Sequence, residues 1–299
     1  MKTLLLGEAL VDLVCETPAA SLAAAPAFVP HLGGSPANVA VAAARRGAAV
    51  SLAGGVGADG WGEWVRERLQ AEGVGTELLD TIPGGATAVA FVTITEGGEP
   101  DFLIHAGAAA AATTAVADRL PAAVADAAAL VLTTGTMVGE DERRVTLAAR
   151  ETALAHDVPV IFDPNLRPGR WSNPARAVSV ARGCVEGAFL VKANRAEAAA
   201  ITGERDPVAA AKALLAGGAR HVVITLGADG ALLRGPGLRL DVPGVAARAV
   251  DTTGAGDTVT GVLLARLAGS GFYPSAMAAA LPEAVTAAAR VTEHFGAVG

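Results

Sequence analysis

From Ala129 onward the chain alternates short apolar runs with helical patterns, and this rhythm limits the folds open to it more than any other feature. Ala129 to Thr133 precedes a helix over 140–156, and Val158 to Phe162 precedes one over 174–184. Phe189 to Val191 precedes a helix from Asn194 to Ile201; a further helix near 208–215 leads to Val222–Leu226 and Gly230–Leu233. Strands joined through helices pair in parallel, and a parallel sheet needs helices on both faces.

The first half adds a strand at Lys2–Leu6 and a loop at Gly7–Asp12 that carries Glu8 and Asp12. Gly33-Gly34-Ser35-Pro36-Ala37-Asn38 opens a helix over 39–46, with Ser35 as cap and Pro36 at its first position. Ala48 to Ala53 reads as a strand, Gly54 to Gly60 as a glycine-rich turn, and the next helix runs to Gln70. Thr87–Thr95 and Asp101–His105 form a hairpin that turns at Gly97-Gly98. Its isolation among helices places it outside the main sheet. The expected architecture is one α/β domain over 1–299 with a small β lid drawn from roughly 11–32 and 86–106.

Hydrophobic residues at 52% and charged residues at 18% exclude a disordered chain. A net charge of −7 argues against nucleic acid or anionic lipid as a partner, so any bound phosphate must sit in a local nest of donors. Glu8 and Asp12 interrupt the apolar start before it could serve as a signal peptide, and no run is long enough to span a bilayer, so a cytoplasmic location is expected. Cys15 and Cys184 lack metal spacing, as do the five histidines; His105 stands apart because it ends a lid strand. None of the three lysines follows a glycine, which excludes a Walker-type phosphate loop.

Two glycine motifs remain. Gly55, Gly57 and Gly60 spell G-x-G-x-x-G, with Asp80 at the distance of a ribose-binding acid, so a nicotinamide-dependent oxidoreductase is one reading. Asp59 counts against it, since it sets a negative charge where a pyrophosphate would lie. Asp251-Thr252-Thr253-Gly254-Ala255-Gly256-Asp257 runs straight into an apolar helix. Bare glycine backbone and the unpaired N–H groups of a helix start suit a phosphoryl group, and Asp257 places a carboxylate beside it. Taken alone, the stretch is equally a strand-to-helix turn capped by Asp. Asp12, Asn38, Asp163, Asn194, Thr225 and Asp257 are expected on one rim, at the carboxyl ends of the strands.

Together, Asp251–Asp257, Gly33–Asn38 and the Gly54–Gly60 segment resemble the ribokinase-like (PfkB) carbohydrate kinases, over nearly the whole chain. The resemblance implies a Rossmann-like, mostly parallel sheet with a β lid, and ATP-dependent phosphorylation of a sugar hydroxyl with Mg²⁺. It assigns Asp257 as catalytic base and the N–H groups of Gly254, Ala255 and Gly256 to the transferring phosphate. Asp12, Gly33, Gly34 and Asn38 would hold the sugar, with His105 and Arg167 beside it. Asn194 and Glu197 would organise phosphates and Mg²⁺ through water, and Thr225, Gly227 and Gly230 would form the nucleotide loop. Asp251 and Thr253 match positions that bind a monovalent cation in relatives, which suggests K⁺.

Asp163-Pro164-Asn165-Leu166-Arg167 followed by Trp171 is similar to fructokinases and 2-keto-3-deoxygluconate kinases. The lid ends in Phe102-Leu103-Ile104-His105, without the tyrosine and arginine that suit a sugar acid, so fructose is expected first. Ketodeoxygluconate, ribose and nucleosides are the other acceptors, and a catalytically silent sugar-binding relative is the rival from another class. Relatives often dimerise through the lid, so a homodimer is expected.

Overall fold

The computed structural model describes residues 1–95, 99–105 and 109–298. The chain begins with strands β1 (Thr3–Leu6), β2 (Leu10–Val14) and β3 (Val29–Gly33), then helix α1 (Ser35–Ala44). β4 (Val50–Gly57), α2 (Gly60–Ala71), β5 (Gly75–Ile82), β6 (Val89–Ile94) and β7 (Pro100–His105) follow. Next come α3 (Ala109–Ala115), α4 (Leu120–Ala125), β8 (Ala129–Leu132), α5 (Glu140–Ala155), β9 (Val160–Phe162) and α6 (Pro174–Gly183). The last part holds β10 (Leu190–Asn194), α7 (Arg195–Thr202), α8 (Pro207–Ala216), β11 (Val222–Thr225), β12 (Ala231–Gly235) and β13 (Leu238–Val242). It closes with α9 (Ala255–Gly269) and α10 (Ser275–Val291).

The large sheet has nine strands in the order β13-β12-β11-β10-β9-β8-β1-β4-β5. It is parallel from β11 to β5, and β12 and β13 extend one edge antiparallel. β1 explains why such strands read as unbroken apolar runs. Leu5 packs with Val39 of α1, Val262 of α9 and Leu281 of α10. Leu4 and Leu6 point the other way, among Ala149 of α5, Ala177 of α6 and Ile201 of α7. Both faces exclude water, so no alternation with polar residues is needed. Small side chains bring the helices on one face close together: a Cβ on Gly261 of α9 would stand 2.5 Å from the Ala42 Cβ of α1. Among the described residues no helix is long and apolar enough to cross a membrane.

The lid is a separate four-stranded sheet, β3-β2-β6-β7, over a small core that includes Leu10, Val14, Ala90, Val92 and Ile94. β6 and β7 pair antiparallel, as the hairpin pattern predicts; its Gly97-Gly98 turn and Ala106 lie outside the described residues.

Three local expectations are corrected. Leu10–Val14 is a lid strand, so Asp12 does not lie in a loop. Gly34, at φ 97°, caps α1, and Ser35 is already helical. Gly54–Gly57 is not a turn but the buried end of β4. A Cβ on Gly54 would collide with the Gly7 carbonyl, and one on Gly57 with the backbone at Gly85–Thr87. Asp59 caps α2, accepting from Gly62 N at 2.8 Å, and also binds Thr87 N and Oγ1, both at 2.7 Å. Gly55 and Gly57 are therefore strand residues, Gly57 packed against backbone, and Asp59 is a helix cap, which leaves the dinucleotide fingerprint without its turn. Gly54→Ala should destabilise the fold by roughly 1–3 kcal/mol, read as a shift in urea midpoint at unchanged slope.

Candidate active site

Between lid and sheet lies a cleft of about 360 Å³, walled by β2, β7, the first turn of α1, the residues after β9, β10 and β11, and the start of α9. A groove of about 930 Å³ along α1 and α10 is larger but contains none of these carboxylates. Chemistry, not size, selects the cleft.

Asp257 sits in the first turn of α9, after Gly254 at φ 78°. Its Oδ1 accepts from Ser35 Oγ at 2.6 Å and its Oδ2 from Asn38 Nδ2 at 2.9 Å. Both donors come from the first turn of α1, which the lid strand β3 feeds directly. The helix start alone would favour the ionised carboxylate, the expectation from its position. Burial and the Asp163 carboxylate instead raise its pKa, against the bonds from Ser35 and Asn38 and the charge of Lys192.

Asp12 faces the cleft from β2, buried, with its pKa raised from 3.8 to about 7 by burial and by the charges of Asp251 and Asp257. A raised carboxylate stabilises the fold while it is protonated, and that contribution is lost as pH rises through about 7. The ligand-free protein should therefore melt at a higher temperature at pH 5.5 than at pH 8, from this group. Asp12→Asn should flatten the difference; an unchanged pH slope in the variant would count against this environment. Gly33 does not line the cleft: a Cβ there would strike the Asp12 carboxylate, so the glycine makes room for the acid. Gly34 does line it, and its bare Cα lets the chain pass the Glu8 carbonyl.

Asn194 caps α7, accepting from Glu197 N at 2.9 Å, while Glu197 Oε2 accepts from Asn194 N at 2.8 Å. Glu197 Oε1 accepts from Leu166 N at 2.9 Å, which ties the segment after β9 to the β10–α7 corner. Thr225 ends β11 and Gly227 follows at φ 64°; both line the cleft. Gly230 does not, and its positive φ and missing Cβ serve close packing against Val242–Gly244. Asp251 is buried: Oδ1 accepts from Thr253 N at 2.8 Å and Oδ2 from Gly296 N at 2.9 Å, pinning the turn to the C-terminal segment. Thr253 Oγ1 is buried without a partner.

Arg167 lines the cleft, whereas His105 does not. Phe102 and Ile104 point inward, and strand alternation turns His105 outward, its ring edge-on to Phe91 at 5.9 Å. The six residues expected on one rim do share the cleft, but not all at strand ends: Asp163, Asn194 and Thr225 end or follow strands of the large sheet, whereas Asn38 and Asp257 stand on helices and Asp12 on the lid.

Sequence reasoning gave no site role to Glu8, Ser35, Arg170 or Lys192, which also line the cleft. Ser35 was masked by its resemblance to a cap, and Glu8 and Arg170, 3.4 Å apart, stand at the lip. Lys192 carried the clearest signal, a lone charge inside the apolar Phe189–Ala193 run.

A parallel sheet with an appended β lid, and a carboxylate-bearing helix start in the cleft between them, are the fold and site of a ribokinase-like enzyme. The chain belongs to the pfkB family carbohydrate kinases, whose family model matches residues 2–298. It is a sugar kinase. It is 33% identical over 265 residues to fructokinase-1 of Oryza sativa subsp. japonica, covering 87% of this chain and 81% of that one. The fructokinase of Vibrio cholerae O395, in its fructose-, ADP- and calcium-bound form, superposes with a TM-score of 0.86 at 29% identity, over 100% of this chain and 95% of that one. A putative ribokinase II from E. coli, at 22% identity and a TM-score of 0.89 over 100% and 95% of the two chains, shares the fold.

Proposed function

We propose that the chain phosphorylates fructose with ATP. The observation that carries the chemistry is Asp257, held by Ser35 and Asn38 in the first turn of α9 beside the Gly254–Gly256 turn, so that a carboxylate stands at the positive end of a helix. The acceptor hydroxyl gives its proton to Asp257 as its oxygen bonds to the γ-phosphorus. The bond from that phosphorus to the β,γ-bridging oxygen breaks, and ADP leaves. Such a loose transition state calls for positioning and charge stabilisation more than for a strong base. Asp12 and Asn38 would take sugar hydroxyls, with Arg167 at the lip; Thr225 and Gly227 would receive the nucleotide.

The acceptor rests on the fructokinase relatives and on the fructose-bound neighbour. Apolar Phe102 and Ile104 on the lid's inner face suit a neutral sugar better than a sugar acid. A panel of fructose, ribose, ketodeoxygluconate and nucleosides, read by ADP release, tests this; a higher kcat/KM for any other acceptor overturns fructose.

Among the described residues no cluster of three His, Cys, Asp or Glu could cage a metal. A divalent ion would therefore arrive with the nucleotide phosphates, as Mg²⁺ commonly does. Glu197 spends an oxygen on each of two backbone N–H groups, so it suits a water-mediated contact. Potassium fits the Asp251–Thr253 turn, where an unpartnered hydroxyl lies two residues from a buried carboxylate. Replacing KCl by choline chloride at constant ionic strength should then lower kcat/KM for ATP; equal rates in both salts would remove potassium from the scheme.

A further inference from the structure

Lys192 lies at the centre of β10 between Val191 and Ala193, both fully buried, with its own side chain only 6% exposed. Its Nζ donates to Asp163 Oδ2 at 3.0 Å, and the same oxygen accepts from Thr260 Oγ1 at 2.8 Å, one turn beyond Gly256 in α9. No second protein acceptor for Nζ is present among the described residues, although an ammonium carries three protons. Nζ also stands directly against the anion turn: a Cβ on Gly256 would come within 2.7 Å of it. Both groups line the cleft.

Burying an ammonium costs several kcal/mol, and an apolar pair of similar volume in place of Lys192 and Asp163 would serve the fold as well or better. Pinning β10 to the segment after β9 does not require this charge. A full positive charge placed against helix-start N–H groups is what a phosphoryl group in transfer requires, since negative charge spreads over its oxygens.

We propose that Lys192 is a catalytic residue whose ammonium contacts the transferring phosphoryl group through the space left by Gly256, with Asp163 and Thr260 holding it in place. This rests on the phosphoryl-transfer reading of the site. Lys192→Met is the first test, and Lys192→Met combined with Asp163→Asn is the second, because the double variant does not leave the Asp163 carboxylate without its ammonium partner. For each variant that melts as a folded protein, kcat should fall by about 10²–10³-fold with KM for fructose within about threefold. Affinity for ADP plus aluminium fluoride in the presence of fructose, which mimics the planar phosphoryl group, should fall with kcat. Affinity for ADP alone should not.

A folded variant that keeps both kcat and the aluminium fluoride affinity near the parent's overturns the proposal. So does equal weakening of ADP and of its aluminium fluoride complex, the mark of a structural pin. The parent is the control for the acceptor. If it does not turn over fructose, the fructose reading fails, and the aluminium fluoride comparison, run with the acceptor the panel selects, still decides the role of Lys192.

Discussion

Replacing Asp257 by asparagine should lower kcat by about 10²–10⁴-fold, the range over which a positioned general base contributes. The substitution suits this site because it removes the proton acceptor with little disturbance. Ser35 Oγ and Asn38 Nδ2 each donate to the native carboxylate, so a new amide can satisfy only one of them through its oxygen. The other meets a donor, but Asn38 resolves the conflict: its own Oδ1 is buried and unpartnered. Turning the Asn38 amide over presents that oxygen to the new NH₂ group. The variant should melt close to the parent and still bind ATP and sugar by calorimetry. Turnover within tenfold of the parent would remove Asp257 from the chemistry.

Gly254→Ala should also slow turnover strongly, for a different reason. Gly254 has φ 78°, where a Cβ costs about 1–2 kcal/mol, and that Cβ would also meet Ala297 Cα at 2.6 Å. The neighbour is backbone held by the Asp251–Gly296 clasp, so the turn itself must shift. Displaced N–H groups should cost about 10²-fold in kcat, as the loss of one preorganised donor does elsewhere. Gly73→Ala separates strain from displacement: it has the same φ of 78° but nothing within 4 Å of an added Cβ. It should lose stability only, with kcat unchanged. Equal kinetic loss in both variants would show that the turn's placement is not what matters.

The sheet was legible because buried parallel strands leave continuous apolar runs, as β1, β8 and β11 do. The lid hairpin was legible from alternation and isolation. What stayed hidden depends on contacts between distant segments. Gly54 and Gly57 look like a turn until the Gly7 and Gly85–Thr87 backbones are seen beside them. His105 reads as a cleft residue until the strand's phase is fixed, since one step in a strand reverses the face. α10, rich in alanine and with Pro282 inside it, went unread although Met277, Ala280, Leu281, Ala284 and Val285 form a buried stripe at helical spacing. In the site, the Asp251–Asp257 string announced itself, whereas Lys192 and Ser35 gain meaning only from what faces them.

β3 runs into α1 through Gly33 and Gly34 with no loop between, and the first turn of α1 grips Asp257. The two halves of the lid are therefore not equivalent for anyone wishing to redesign the acceptor. The lid's edge strand β7 supplies Phe102 and Ile104 and none of the hydrogen bonds to Asp257, so side chains there should be exchangeable to alter which acceptor fits. Altering β3 instead would change the grip on the base as well as the pocket. Breadth of acceptor and speed of transfer should thus be separately adjustable from β7 and coupled from β3.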